Sequence, residues 1–186
     1  MNIITHALMG WTIGQRICQN RRDVALITVS SVIPDVDGVG IITDFITAGT
    51  GAPTSWYADY HHVLGHNVFA GIFLTLLAII LSQERTKTGT AVFVIFHLHL
   101  LCDLVGSKGP DGELWSIFYF YPAFPNFSIS WNGQWEINAL PNILLTIFLL
   151  FLFFKQTRDF GFSPIWYISE KFDNLFVQTI RNRFPI

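Results

Sequence analysis

At 186 residues the chain has the length of one domain, and 51% of it is hydrophobic while only 13% is charged; a soluble domain carries about 25% charged residues. The deficit points to a lipid environment, and a net charge of −2 leaves no electrostatic footprint for DNA or RNA. Two cysteines, Cys18 and Cys102, without CxxC spacing, exclude a disulfide framework and a cysteine-rich zinc site.

In chain order, Ile3–Ile17 is an apolar helical segment rich in small residues. It does not read as a cleavable signal peptide, because it lacks a basic n-region and Thr5, His6 and Gln15 interrupt it. Residues 24–33 form a second helix, stopped by Pro34. These two dip into a bilayer or pack on the other helices. Three longer runs can cross or enter it: Val68–Leu81, residues 90–106 (apolar apart from His97, His99 and Asp103), and residues 139–154. Each falls short of the ~20 residues of a full span. Residues 163–184 repeat Ile165, Ile168, Phe172, Leu175, Phe176, Thr179 and Ile180 at helical spacing, flanked by Lys171, Arg181 and Arg183. That pattern suits an interfacial helix or one packed on the protein itself. The expected fold class is all-α: a compact membrane-embedded bundle of about five helices over residues 1–160, then a C-terminal amphipathic helix in 161–186.

The connections are charged asymmetrically. Arg16, Arg21, Arg22, Arg85, Lys87, Lys155 and Arg158 fall in one set of connections, whereas residues 34–60 and 107–136 hold a single basic residue, Lys108. If the segments alternate in direction, every basic connection lies on one side, which the positive-inside rule makes cytoplasmic. The long loops then face the periplasm of a bacterial inner membrane.

Four groups of metal-ligand type punctuate this pattern: Thr5-His6, PDVD with Asp35 and Asp37, His61-His62-xxx-His66, and His97-x-His99-xxx-Asp103. His62 and His66, like His99 and Asp103, are four apart, so a helix presents both on one face. An ionisable residue such as Asp103 inside an apolar helix is costly and marks a functional site by default. His6 begins the first segment, Asp35 and Asp37 end the second, His62 and His66 begin the third, and His99 and Asp103 end the fourth. All four groups therefore arrive at the non-basic membrane face. A mixed imidazole and carboxylate set favours zinc, with manganese or iron as alternatives. The expected ligands are His6, Asp35, Asp37, His62, His66, His99 and Asp103. Beyond Asp103, a loop with Trp115, Phe118, Tyr119, Phe120 and Tyr121 either roofs the site or anchors at the interface. Glu136 reads as a solvated loop carboxylate, with a further ligand or a general base as the alternatives.

The motifs THALMG, PDVDG, HHVLGHN, HLHLLCDLVGSKGPDGELW and GQWEINALPN, with the tail IRNRF, resemble those of the membrane-bound metal-dependent hydrolases named for a LexA-binding, inner-membrane-associated member. Many relatives carry HRGxTHS where this chain has His61 to Asn67. That alignment matches His61 with His66, whereas helical geometry favours His62. The family is distantly similar to zinc-dependent phospholipases C and single-strand-specific zinc nucleases. The resemblance implies His99 and Asp103 as a ligand pair, Asp35 or Asp37 between metals, and one or two ions, since the processed N-terminal ligand of the phospholipases has no counterpart.

The expectation is hydrolysis of an ester or phosphoester, lipid or lipid-linked, by metal-activated water, with Asp37 or Asp111 as general base. The lipid bilayer is the expected partner, and no nucleic acid. A metal transporter, or a membrane protein that metal merely staples together, are the rivals.

Overall fold

The structure is a computed structural model describing residues 1–109 and 112–184. Among them are eight α-helices: α1 Ile3–Ile17, α2 Arg21–Ser30, α3 Gly40–Thr47, α4 Trp56–Tyr60, α5 Val68–Leu81, α6 Arg85–Gly106, α7 Leu140–Phe160 and α8 Glu170–Arg183. Short 3-10 turns cover Ile33–Val39 and Pro164–Tyr167. The described residues hold no strand, only isolated bridges between Lys108 and Glu136 and between Ile117 and Ile129. An all-α bundle is what the periodicity predicts.

Local chemistry starts the helices. Asn2, Asn20 and Asn67 each accept a hydrogen bond from the amide three residues on, that of Thr5, Asp23 and Ala70. This satisfies one of the orphan donors of a first turn. Short connections then make α1 and α2, and α5 and α6, antiparallel neighbours. Helices α1 and α2 approach closely because Gly10 has no side chain: a Cβ there would stand 2.2 Å from Ser31 Oγ. The core gathers where α1, α2 and α6 meet, around Trp11, Val24, Ile27, Val92, Ile95 and Phe96.

Helices α6 and α7, at 22 and 21 residues, run about 33 and 32 Å at 1.5 Å per residue, enough to cross a ~30 Å hydrocarbon core. Both exceed the apolar runs seen in the sequence, because each helix continues into polar residues at its basic end. The polar face of α7 points inward. Its buried residues are Asn142, Leu149, Gln156 and Thr157, while Leu140, Ile143, Leu144, Ile147, Phe148 and Phe151 are exposed. A helix apolar around most of its circumference, with a thin inward stripe, is built for lipid. Helices α2 and α3, bent by 47° at the 3-10 turn, pass the same length-and-apolarity test only if counted together as one broken span.

Two expectations are corrected. Residues 34–60, expected to be a connection, contain α3 and α4. Both Asp44 carboxylate oxygens hold the start of α4, accepting from Trp56 N at 2.7 Å and Tyr57 N at 2.8 Å, and from Thr54 Oγ1 at 2.8 Å. The tail is not one helix from 163 to 184: Ser163 caps the 3-10 turn and Ser169 caps α8. Asp173, Val177 and Ile180 face inward, and Ser163 Oγ donates to Asp173 at 2.6 Å. Ile168, Phe172 and Leu175 lie exposed along the other edge. The tail helix thus packs on α7 with one face and presents an apolar edge outward.

Candidate metal centre

Antiparallel packing delivers the ends of four segments to one end of the bundle. His6 comes from the first turn of α1, Asp35 from the 3-10 turn after α2, and His62 and His66 from the turn before α5. His99 and Asp103 come from the last turns of α6. One ligand atom from each of His6, Asp35, His99 and Asp103 lies within 4.8 Å of the others, and the same holds for His62, His66 and Asp103. Asp103 belongs to both groups. His99 Nε2 and His66 Nε2 stand 3.0 and 3.3 Å from Asp103 Oδ2, and 3.2 Å from each other. His6 Nε2 is 3.1 Å from Oδ1 of the same carboxylate. Asp35 Oδ1 is 3.5 Å from His99 Nε2 and 3.8 Å from His66 Nε2.

Burial makes this arrangement costly without a cation. His6, His66 and His99 are wholly buried, Asp103 is 1% exposed, and only Asp35, at 12%, meets solvent appreciably. Asp35 Oδ2, His6 Nδ1 and His62 Nδ1 are buried and have no hydrogen-bond partner, and Asp103 Oδ2 faces only the imidazole nitrogens of His66 and His99. Buried polar atoms left unpaired call for an explanation, and a cation shared by the imidazole nitrogens and carboxylate oxygens gathered here would lower the cost of burying them. Burial also pushes the His62 ring down to about 2, so it stays neutral with a lone pair to donate.

The rings are held from behind. Ser31 O accepts from His99 Nδ1 at 2.8 Å, and Asp37 Oδ2 accepts from His66 Nδ1 at 3.1 Å, which aims both Nε2 atoms at the cluster. Such backing carboxylates and carbonyls fix the tautomer of metal-binding histidines. Asp37 therefore stands outside both convergent groups, contrary to its expected place as ligand or free base. His61 Nδ1, at 2.7 Å, and Gly65 N, at 2.9 Å, also bind its two oxygens. His61 joins Asp37 rather than the cluster, whereas His62 joins the cluster. Residues 61–67 form a turn, not a helix, and His62 reaches inward from a left-handed φ of 67°, not by helical spacing. Asp111, the other expected base, lies outside the described residues. His97 points away, bonded to Phe93 O and Tyr119 Oη, and Glu136 is in neither group.

Several partners carried no signal in the sequence. Ser107 Oγ donates to Asp103 Oδ1 at 2.9 Å, and the Met1 nitrogen also contacts Asp103 and Ser107. Trp115 packs its ring on His61 and His62, with centroids 5.0 and 4.3 Å away, so this residue of the aromatic run roofs the His61–His62 turn, whereas Tyr119 bonds His97. Gln134 secures that roof: its Nε2 donates to the carbonyls of Asp103, Leu104 and Trp115 while its Oε1 accepts from Trp115 N. Ser107 and Gln134 are polar residues that each follow a glycine, Gly106 and Gly133, and only packing distinguishes them from solvated ones.

The two ligand loops meet at Gly65, where a Cβ would stand 2.4 Å from Pro34 O. Gly65→Ala is expected to push the loops apart, destabilising the protein by about 1–3 kcal/mol and weakening metal retention. Thermal melting and metal analysis on the same sample check it; an unchanged midpoint with full metal would show that the loops tolerate separation.

A third convergent trio, Cys18, Asp23 and Glu84, sits at the opposite end of the bundle. Its carboxylates are already occupied. Asp23 accepts from Gln83 N, Glu84 N and Thr88 Oγ1 at 2.7–2.9 Å, and Glu84 accepts from Gln19 N, Asn20 Nδ2 and Lys87 Nζ. It is a clasp joining α2 to the α5–α6 hairpin. Cys18 and Cys102 are unpaired.

Among proteins of curated function and solved structures, none matches the chain. The family model described as YdjM inner membrane protein matches residues 1–169.

Proposed function

Because the chain belongs to the YdjM inner membrane protein family and gathers buried imidazoles around one shared carboxylate, we propose that it is a metal-dependent hydrolase of the membrane surface. The observation that carries this is Asp103 serving two ligand groups at once, the arrangement that two-metal hydrolases use to hold paired ions. The donor set suits zinc, with manganese or iron as alternatives. Bound there, one or two such ions would supply Lewis acidity and activate water near neutral pH for attack on an ester or phosphoester.

The chain's own residues supply the rest. Asp37 and the Ser31 carbonyl orient His66 and His99. Asp35, the most exposed of the ligands at 12%, lies on the side from which water and substrate would arrive, and its buried, unpartnered Oδ2 is the candidate to accept a proton. Val36, Val39, Ile41 and Ile42 beside it are all more than half exposed, an apolar rim suited to a lipid or lipid-linked substrate. The basic residues at the other end of the bundle orient this face to the periplasm. Ligands at helix ends rather than at the midplane count against ion transport.

Burial of His6, His66 and His99 favours a second reading, in which metal staples the helices and catalyses nothing. Purified protein assayed on a phosphoester panel separates the two. Turnover is expected to vanish on chelation, return with zinc, and be absent from His99→Ala. Retained metal without metal-dependent turnover on any substrate would leave the staple in place.

A further inference from the structure

At the end of the bundle opposite the metal centre, α7 and α8 enclose a cleft of about 240 Å³ lined by Phe151, Phe154, Lys155, Arg158, Ile180 and Phe184. We infer that this cleft is a binding site for an anionic phospholipid. Phe151, Lys155 and Arg158 are spaced i, i+4, i+7 on α7 and so share one face. Phe151 lies about 6 Å deeper along the candidate span than Lys155. The cleft is therefore apolar toward the membrane interior and cationic toward the surface, the same order as acyl chain and phosphate in a lipid.

Positive charge is in surplus at its mouth. Lys155 Nζ and Arg158 Nη2 share a single carboxylate, Asp159, at 2.9 and 2.8 Å. Arg181 adds a third cation, held over the α7 end by its Nε donating to Arg158 O at 3.0 Å. Phe151 and Phe184 are 63% and 60% exposed, so apolar surface remains for a chain to cover. A free anion would leave those rings uncovered, and a neutral lipid would leave the cations unmatched. A similar groove runs from Arg21 and Arg22 along α2, but there the Arg21 guanidinium is already stacked on Trp166 and Phe162, at 4.3 and 5.1 Å. In the α7–α8 cleft two cations share one carboxylate, so a net positive charge remains for an anion. This inference rests on α7 lying in a bilayer and is independent of the metal centre.

Native mass spectrometry of the full-length protein in detergent, titrated with phosphatidylglycerol or with phosphatidylcholine of the same chains, tests it. Several-fold greater retention of phosphatidylglycerol is expected. The variant Lys155→Gln/Arg158→Gln/Asp159→Asn, which removes both cations together with the carboxylate they share, should lose that preference, and so should Phe184→Asp, an exposed change at the end of α8 that leaves the core intact. Equal retention of both lipids by the unaltered protein, or an undiminished preference in both variants, overturns the site. Displacement of phosphatidylglycerol by millimolar inorganic phosphate also overturns it, because the cleft would then be a simple anion site.

Discussion

Asp103→Asn is expected to strip divalent metal from the purified protein. Losing a residue that merely backs a metal ligand costs 10–100-fold in affinity. Asp103 belongs to both ligand groups, so its loss should exceed about 100-fold. The substitution keeps the volume and leaves the Ser107 hydrogen bond possible. What it removes is the negative charge that faces His6, His66 and His99, and breaking a buried charged pair costs about 3–5 kcal/mol. Elemental analysis should find metal in the unaltered protein and only a trace in the variant, unrecovered on adding zinc. A variant that loads metal normally would mean that the convergence at Asp103 is a hydrogen-bonded cluster and nothing more.

Asp23→Ala should be about as destabilising while leaving the metal centre intact. Asp23 is fully buried and accepts from two amides ahead of α6 and from Thr88. Hydrogen bonds to a charged group contribute about 1.5–3 kcal/mol each and are not additive. A total loss near 3–5 kcal/mol follows, because two part-buried amides and the buried Thr88 hydroxyl lose the carboxylate they share. Unfolding in denaturing detergent reads the stability, and metal content per folded molecule reads the centre. Metal lost from a variant of normal stability would show that Cys18, Asp23 and Glu84 hold an ion after all.

Placed side by side, these two aspartates show what local sequence reveals. Helices α1 and α5 begin and end where the pattern places them, because Asn2 and Asn67 carry their cap chemistry within three residues. Helices α4 and α6 start instead where Asp44 and Asp23 reach across 12 to 61 residues to hold their first amides; no window of sequence contains both partners. Short apolar α3 has no capping side chain and was equally invisible.

The centre was legible as a convergence because its ligand types recur at alternate segment ends, a property of chain order. Its inner assignment was not. Asp35 and Asp37 are the same side chain two residues apart, yet one faces the cluster and the other the back of two imidazoles. His62 enters through a left-handed backbone that non-glycine residues rarely adopt, which helical spacing cannot foresee.

The position of α7 has a consequence for biogenesis. Every convergent ligand, from His6 to Asp103, is translated before α7. The ribosome thus delivers a complete ligand set while the last long helix is still unmade. Asn142 of α7 donates to Gly106 O, and Thr146 pairs with Thr5 beside His6, so α7 closes against the ligand-bearing segments last. Under the proposed metal reading, loading is expected to be easiest before α7 docks, and exchange from the folded protein is expected to be slow.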